Sequence, residues 1–313
     1  MTVSRKALGS LSVSPLSLGG NVFGWTADEA ESFAVLDAYV AGGGNFIDTA
    51  DVYSAWVTGN KGGESETVIG NWLAARGNRA DVVIATKVGA HPDLKGLSAT
   101  TIKKAVDASL TRLRTDYIDL YYTHYDDESV EVAEFLTALD DLVRAGKVRE
   151  IAASNISAQR LEESLACSER EGLARYVALQ PHYNLVSRDT YEGELADVAA
   201  RHGLAAVPYY ALASGFLTGK YRPGTNVDSA RSSKAAEYLA TDRGPRVLQA
   251  LDTVAAAHDA EIATVALAWL AARPTVAAPL ASARTVTQLP ALLAAQDLPL
   301  TGAELTLLDE ASA

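Results

Sequence analysis

One cysteine, Cys167, occurs in 313 residues, so neither a disulfide nor a thiolate zinc site can form within the chain. Basic side chains are scarce as well: 27 Lys and Arg stand against 39 Asp and Glu, a net charge of −12 with a pI near 4.9. That surplus opposes the counterion release by which nucleic acids hold basic proteins, and it repels anionic membranes. No apolar window approaches the roughly 18 residues of a membrane-spanning helix, and the opening MTVSRKALGS lacks the apolar run of a secretory signal. A cytoplasmic protein with no nucleic-acid or membrane partner is expected, a monomer in the absence of an obvious apolar stripe. Also missing is a Gly-x-Gly-x-x-Gly turn after an early strand, which a Rossmann-type dinucleotide domain requires.

What is present is a regular alternation. Short apolar runs at 16–18, 45–48, 82–86, 118–122, 150–154, 177–181, 204–208 and 275–281 are separated by longer amphipathic stretches of helical period. Near-continuous apolar strands are expected where both faces of a parallel sheet are covered. Eight such units make a closed (β/α)8 barrel, of about 250 residues before decorations, within a single domain over 1–313. An open doubly wound sheet is the alternative, disfavoured by the missing glycine turn. Thr26 with Glu29, and Thr301 with Glu304, read as capping boxes that open helices. Cys167 lies in a helical stretch, 157–172, on a face that would bury it. The irregular stretch 219–244, rich in Gly, Pro, Ser and charge, follows the seventh strand and is expected to form a lid.

Catalytic groups of a barrel come from the C-terminal ends of its strands. Asp48 ends the second run, with Tyr53 five residues on, Lys87 ends the third and His124 the fourth. A tyrosine of ordinary pKa, about 10, is a poor acid at neutral pH unless a cation stabilises its phenolate. Lys87 at about 4 Å would interact by roughly 4 kcal/mol at an effective dielectric of about 20. Asp48 would hold that buried ammonium in its charged form, and His124 would hydrogen-bond a substrate carbonyl. Singly, these are a turn residue, a packing tyrosine, a surface lysine and a core histidine; together at strand ends they form an acid–base set.

Several stretches resemble the aldo-keto reductases: FIDTADVYS (46–54), GESETVIGNWL (63–73), ATKVG (85–89), DLYYTHYDD (119–127), GKVREIAASN (146–155), LQPHYNLVSR (179–188) and GFLTGKY (215–221). The similarity spans nearly the whole chain, in the manner of the NADP-dependent oxidoreductase and potassium-channel β-subunit-like branches. It implies a (β/α)8 TIM barrel with an N-terminal β-hairpin and extra C-terminal helices, binding NADP(H) and reducing a small-molecule aldehyde or ketone reversibly to the alcohol. Tyr53 would be the acid, Lys87 and Asp48 its tuning pair, and His124 the residue orienting the carbonyl.

By the same resemblance, Gly20, Asn21, Ser154, Asn155 and Gln180 surround the nicotinamide end and Tyr209 stacks on its ring. Tyr210 and Ala211 replace the Ser-Pro that commonly follows. Leu212, Ser214, Gly215, Leu217, Gly219 and Lys220 would run along the pyrophosphate. Ser282, Arg284 and Gln288 would meet the 2′-phosphate, which makes NADPH the favoured cofactor with NADH the alternative. Ala291 and Leu292 replace a Glu-Asn pair near the adenine, weakening contacts there. Phe23, Trp25, Trp56 and Tyr125 are the expected substrate walls, suited to an apolar or aromatic carbonyl compound. Two other classes remain: a regulatory subunit that senses bound cofactor, and a Schiff-base lyase using Lys87.

Overall fold

The structure, a computed structural model, describes residues 4–225, 227 and 232–313. An antiparallel hairpin, β1 (Lys6–Leu8) and β2 (Leu11–Val13), precedes the barrel strands β3 (Ser17–Gly19), β4 (Phe46–Asp48) and β5 (Val83–Val88). A small side hairpin, β6 (Ala90–His91) and β7 (Leu94–Lys95), interrupts the series. It resumes with β8 (Ile118–Thr123), β9 (Val148–Ser154), β10 (Tyr176–Gln180), β11 (Ala205–Ala206) and β12 (Leu280–Ala281). The eight-stranded sheet runs β11-β10-β9-β8-β5-β4-β3-β12, every pair parallel. Ala206 closes the ring through a parallel bridge to Val276, with its N–H on Thr275 O at 2.7 Å and its carbonyl accepting from Ala277 N at 2.9 Å. The closed barrel is therefore the observed architecture.

Six helices, α1 (Glu29–Ala41), α2 (Glu64–Arg76), α3 (Ala99–Leu113), α4 (Val132–Arg144), α5 (Ala158–Glu171) and α6 (Glu194–Arg201), lie between successive barrel strands from β3 to β11. Three more, α7 (Ser232–Leu239), α8 (Arg243–His258) and α9 (Ile262–Ala271), fall between β11 and β12, and α10 (Leu289–Leu293) and α11 (Gly302–Ser312) end the chain.

Alternation along each strand sorts side chains into two cores. Phe46, Ala85, Leu120, Tyr122, Ala152 and Ala178 fill the barrel interior, and Leu8, Leu11 and Val13 of the hairpin join them as a plug. Ile47, Ile84, Tyr121, Ile151 and Leu179 point the other way, toward the helices. Cys167 is buried on α5 as expected.

Three details depart from the sequence reading. Helix α1 is capped by Asp28, whose carboxylate accepts from Glu31 N, because Thr26 and Ala27 are already spent in a turn onto Val22 O. The Thr301–Glu304 box stands as expected. The seventh and eighth strands are two residues each, shorter than their apolar runs, since Pro208 and Pro279 have no N–H to continue a ladder. Of the expected lid over 219–244, residues 226 and 228–231 lie outside the described set, and α7 occupies much of the rest. Among the described residues no single helix is long and apolar enough to cross a membrane.

Candidate active site

The C-terminal mouth of the barrel opens into a cavity of about 990 Å³. Below it Asp48, the last residue of β4, and Lys87 on β5 are fully buried neighbours, paired in register through Asp48↔Ala85. Lys87 Nζ donates to Asp48 Oδ1 at 2.5 Å, to Thr49 O at 2.7 Å and to Tyr53 Oη at 3.0 Å. Gln180 Nε2 at the end of β10 donates to the other Asp48 oxygen at 2.8 Å. Tyr53 itself faces the cavity, and the His124 ring stands edge-on to it at 6.1 Å. The four residues expected at the strand ends are thus brought together.

Their protonation follows from burial. Desolvation pulls Lys87 below the usual lysine value, while Asp48, Asp51 and Glu66 pull the other way. The Tyr53 hydroxyl is pushed well above 10, by burial first and Asp48 second. The acidification expected from Lys87 is therefore outweighed in this arrangement of side chains. His124 is held well below 6.5 by burial and then by the Lys87 charge, so its ring is neutral. Its Nδ1 is buried without a hydrogen-bond partner among the described residues.

The residues expected against a cofactor divide unevenly. Asn21, Ser154, Asn155, Gln180, Leu212, Ser214, Gly215, Lys220, Ser282, Arg284 and Gln288 all line the cavity. Asn155, left-handed at φ 47°, donates to His124 O at 2.8 Å and accepts from Tyr209 Oη at 2.7 Å. Tyr209 and Tyr210 also line the cavity, and Tyr209 stacks on His182 at 5.4 Å. Ser282 Oγ donates to Asn21 Oδ1 at 2.6 Å, and Gln288 Oε1 accepts from Arg284 N at 2.8 Å.

Gly20, Leu217 and Gly219 are not on the wall. Leu217 is core, because the kinked turn 213–218 folds it inward. Gly20 lies beneath the cavity with its N–H on Asp48 O at 2.7 Å, where a Cβ would come within 2.9 Å of Ser65 Oγ. Gly219 instead caps that turn at φ 75°.

Of the expected substrate walls, Trp25, Trp56 and Tyr125 line the mouth, but Phe23 is wholly buried, its ring part of the helix-side core. Residue type marked an aromatic loop without telling which member turned inward. Sequence reasoning missed Ser233 and Lys234 at the start of α7, within the irregular stretch expected to form a lid. It also missed Glu261, the N-cap of α9. Ala291 and Leu292, noted only as substitutions, do lie on the wall.

The donor set suits a nicotinamide dinucleotide: the amides and hydroxyls of the wall match a carboxamide, and the Lys220 and Arg284 cations match phosphates. A model of the Aldo/keto reductase family matches residues 15–313. Protein tas of Escherichia coli is 34% identical over 308 residues, covering 90% of this chain and 88% of its own. Norsolorinic acid reductase B of Aspergillus parasiticus is 32% identical over 321 residues, covering 96% of this chain and 81% of its own. A probable voltage-gated potassium channel subunit beta of Arabidopsis thaliana is 32% identical over 298 residues, covering 92% and 89% respectively.

Proposed function

Because this chain belongs to the aldo/keto reductase family, we propose that it reduces an aldehyde or ketone reversibly to the alcohol, with Tyr53 as proton donor and NADPH favoured over NADH. The observation that carries this reading is the Tyr53 hydroxyl on the cavity wall, 3.0 Å from a lysine that is itself paired with a buried aspartate. Bound along the cavity, a reduced nicotinamide supplies the hydride. Ser154 and Asn155 would hold its carboxamide, and Lys220 and Arg284 its phosphates.

Tyr53 keeps its proton at rest, since burial and Asp48 both disfavour the phenolate. As a substrate carbonyl oxygen turns into an alkoxide, a stronger base than phenolate, the proton leaves Tyr53 for that oxygen. The phenolate so formed faces the Lys87 ammonium, whose attraction then grows from a dipole contact to a full ion pair. Neutral His124 supplies an N–H toward the same oxygen without adding charge. Trp25, Trp56 and Tyr125 favour a substrate with an apolar or aromatic body. In this reading residues 1–313 are one domain, acting as a monomer in the cytoplasm.

The test is nicotinamide absorbance with NADPH and then NADH, against a panel of aldehydes and ketones, for the wild type and Tyr53→Phe. Cofactor oxidation by the wild type and its loss in Tyr53→Phe, with cofactor affinity retained, is the expected result. Bound cofactor with no oxidation across the panel would overturn the reading.

A further inference from the structure

Ser54, the residue after Tyr53, holds a left-handed backbone (φ 71°) with its side chain wholly buried. Side chains other than glycine keep such a conformation only where their surroundings impose it. Here the Ser54 hydroxyl donates to Phe23 O at 2.8 Å. Asn60 closes the same seam, its amide nitrogen donating to Gly24 O and to Ser54 O at 3.1 Å each. These bonds join the loop after β3, which carries Trp25, to the loop after β4, which carries Tyr53 and Trp56.

The seam belongs to a closed circuit around the phenol. Asp48 O accepts from Gly20 N at 2.7 Å, and Gly20 O accepts from Phe23 N at 3.0 Å and from Ser65 Oγ at 2.8 Å. Phe23 O takes the Ser54 hydroxyl, and the Tyr53 side chain returns to Asp48 through Lys87. Across the seam the Trp25 and Trp56 rings meet edge to face at 5.6 Å, and Tyr53 stands 6.1 Å from Trp56. Neither Ser54 nor Asn60 lines the cavity, so neither would touch a substrate.

We propose that Ser54 and Asn60 are positioning residues for carbonyl reduction: by stapling the Tyr53 loop to the Trp25 loop they fix the phenol over the reacting carbonyl and assemble the two-tryptophan wall as one piece. The inference rests on the reductase reading of the site.

Ser54→Gly deletes the hydroxyl while relaxing the left-handed backbone, and Asn60→Ala deletes both amide donors. Each variant is expected to melt within a few degrees of the wild type, the stranded carbonyls costing little in a chain of this size, and to keep the NADPH Kd. Each is expected to lose turnover by about tenfold or more, misplacement of a reacting group being that expensive. A deuterated cofactor should then show a larger isotope effect on kcat, because hydride and proton transfer have slowed. In near-ultraviolet circular dichroism both should lose the Trp25–Trp56 contribution, calibrated with Trp56→Phe.

Unchanged kcat in both variants, or unchanged spectra, overturns the proposal. So does a loss of turnover matched by loss of melting temperature or cofactor affinity, since the bonds would then merely hold the fold. Should Ser54→Gly not fold, Asn60→Ala, at a half-buried side chain, carries the test. A wild type that binds NADPH but reduces no carbonyl compound would defeat the underlying function instead, and the spectra alone would then decide the staple.

Discussion

The Lys87 ammonium donates to the Tyr53 hydroxyl across 3.0 Å while its shorter bond, 2.5 Å, goes to Asp48. With a third bond to Thr49 O at 2.7 Å, one cation thus holds the backbone and a carboxylate at rest and, during turnover, a phenolate. Because both charges of the Lys87–Asp48 pair are fully buried, either alone would be a bare ion in the core.

Lys87→Met is therefore expected to lose about 3–5 kcal/mol of stability, chiefly by stranding Asp48, and to lower turnover by about a hundredfold or more. Adding Asp48→Asn should recover much of the stability, since the stranded charge is gone, but none of the turnover. Chemical denaturation of both variants beside steady-state kinetics checks this; recovery of activity in the double variant would show that Lys87 has no part in proton transfer.

Asp51 lies one step beyond the tetrad, wholly buried, with no side-chain hydrogen-bond partner for either carboxyl oxygen among the described residues. Burial and then the Glu66 charge push its pKa up to about 8, against the pull of Arg112, the Val52 backbone N–H and Lys87. An unfolded chain releases this proton near pH 4 and the folded one near 8. The contribution of this one group to folding is then greatest below pH 4 and falls by about 1.4 kcal/mol per unit as the pH rises toward 8, where the loss levels off. Asp51→Asn should raise the melting temperature more at pH 8 than at pH 5. An equal difference at the two values would mean that Asp51 is already ionised in the fold.

Much of this site was legible because barrel geometry and sequence order coincide: Asp48 ends β4, Lys87 is the penultimate residue of β5 and His124 directly follows β8, and a parallel barrel gathers the C-terminal ends of its strands at one mouth. Loop residues carry no such constraint. Phe23 and Trp25 are two residues apart and equally aromatic, yet one packs under the barrel helices and the other lines the cavity. The same holds for Leu217 beside Gly215, where positive φ at Ala213, Ser214 and Gly215 reverses the direction of the turn. The resting state of Tyr53 was hidden for a different reason. Spacing brings Lys87 near it, but only the burial of the whole cluster decides that desolvation outweighs the cation.

Arg284 lines the cavity, and its backbone N–H is taken by Gln288 while no acidic partner holds its guanidinium among the described ion pairs. A charge-assisted fork onto a phosphate contributes about 1.5–3 kcal/mol. Arg284→Ala should accordingly weaken NADPH binding by about tenfold to a hundredfold and leave NADH nearly unchanged, measured by titration of protein fluorescence. Equal weakening of both would place the guanidinium on a part common to the two dinucleotides.

Trp56 is 50% exposed at the mouth, held by an edge contact to Trp25 and another to Tyr53. A large indole left half in water contributes little to the fold, so Trp56→Ala should melt close to the wild type. An aromatic substrate packed against it would lose about 0.5–1.5 kcal/mol beyond simple burial, roughly two- to tenfold in affinity. Since that contact exists before and during the reaction, the loss should fall on KM for aromatic carbonyl compounds, with kcat nearly intact and small aliphatic aldehydes unaffected. An equal rise in KM for both classes would assign Trp56 to closing the mouth rather than to gripping an aromatic body. A fall in kcat instead would mean that the indole acts on Tyr53, through the 6.1 Å contact between their rings.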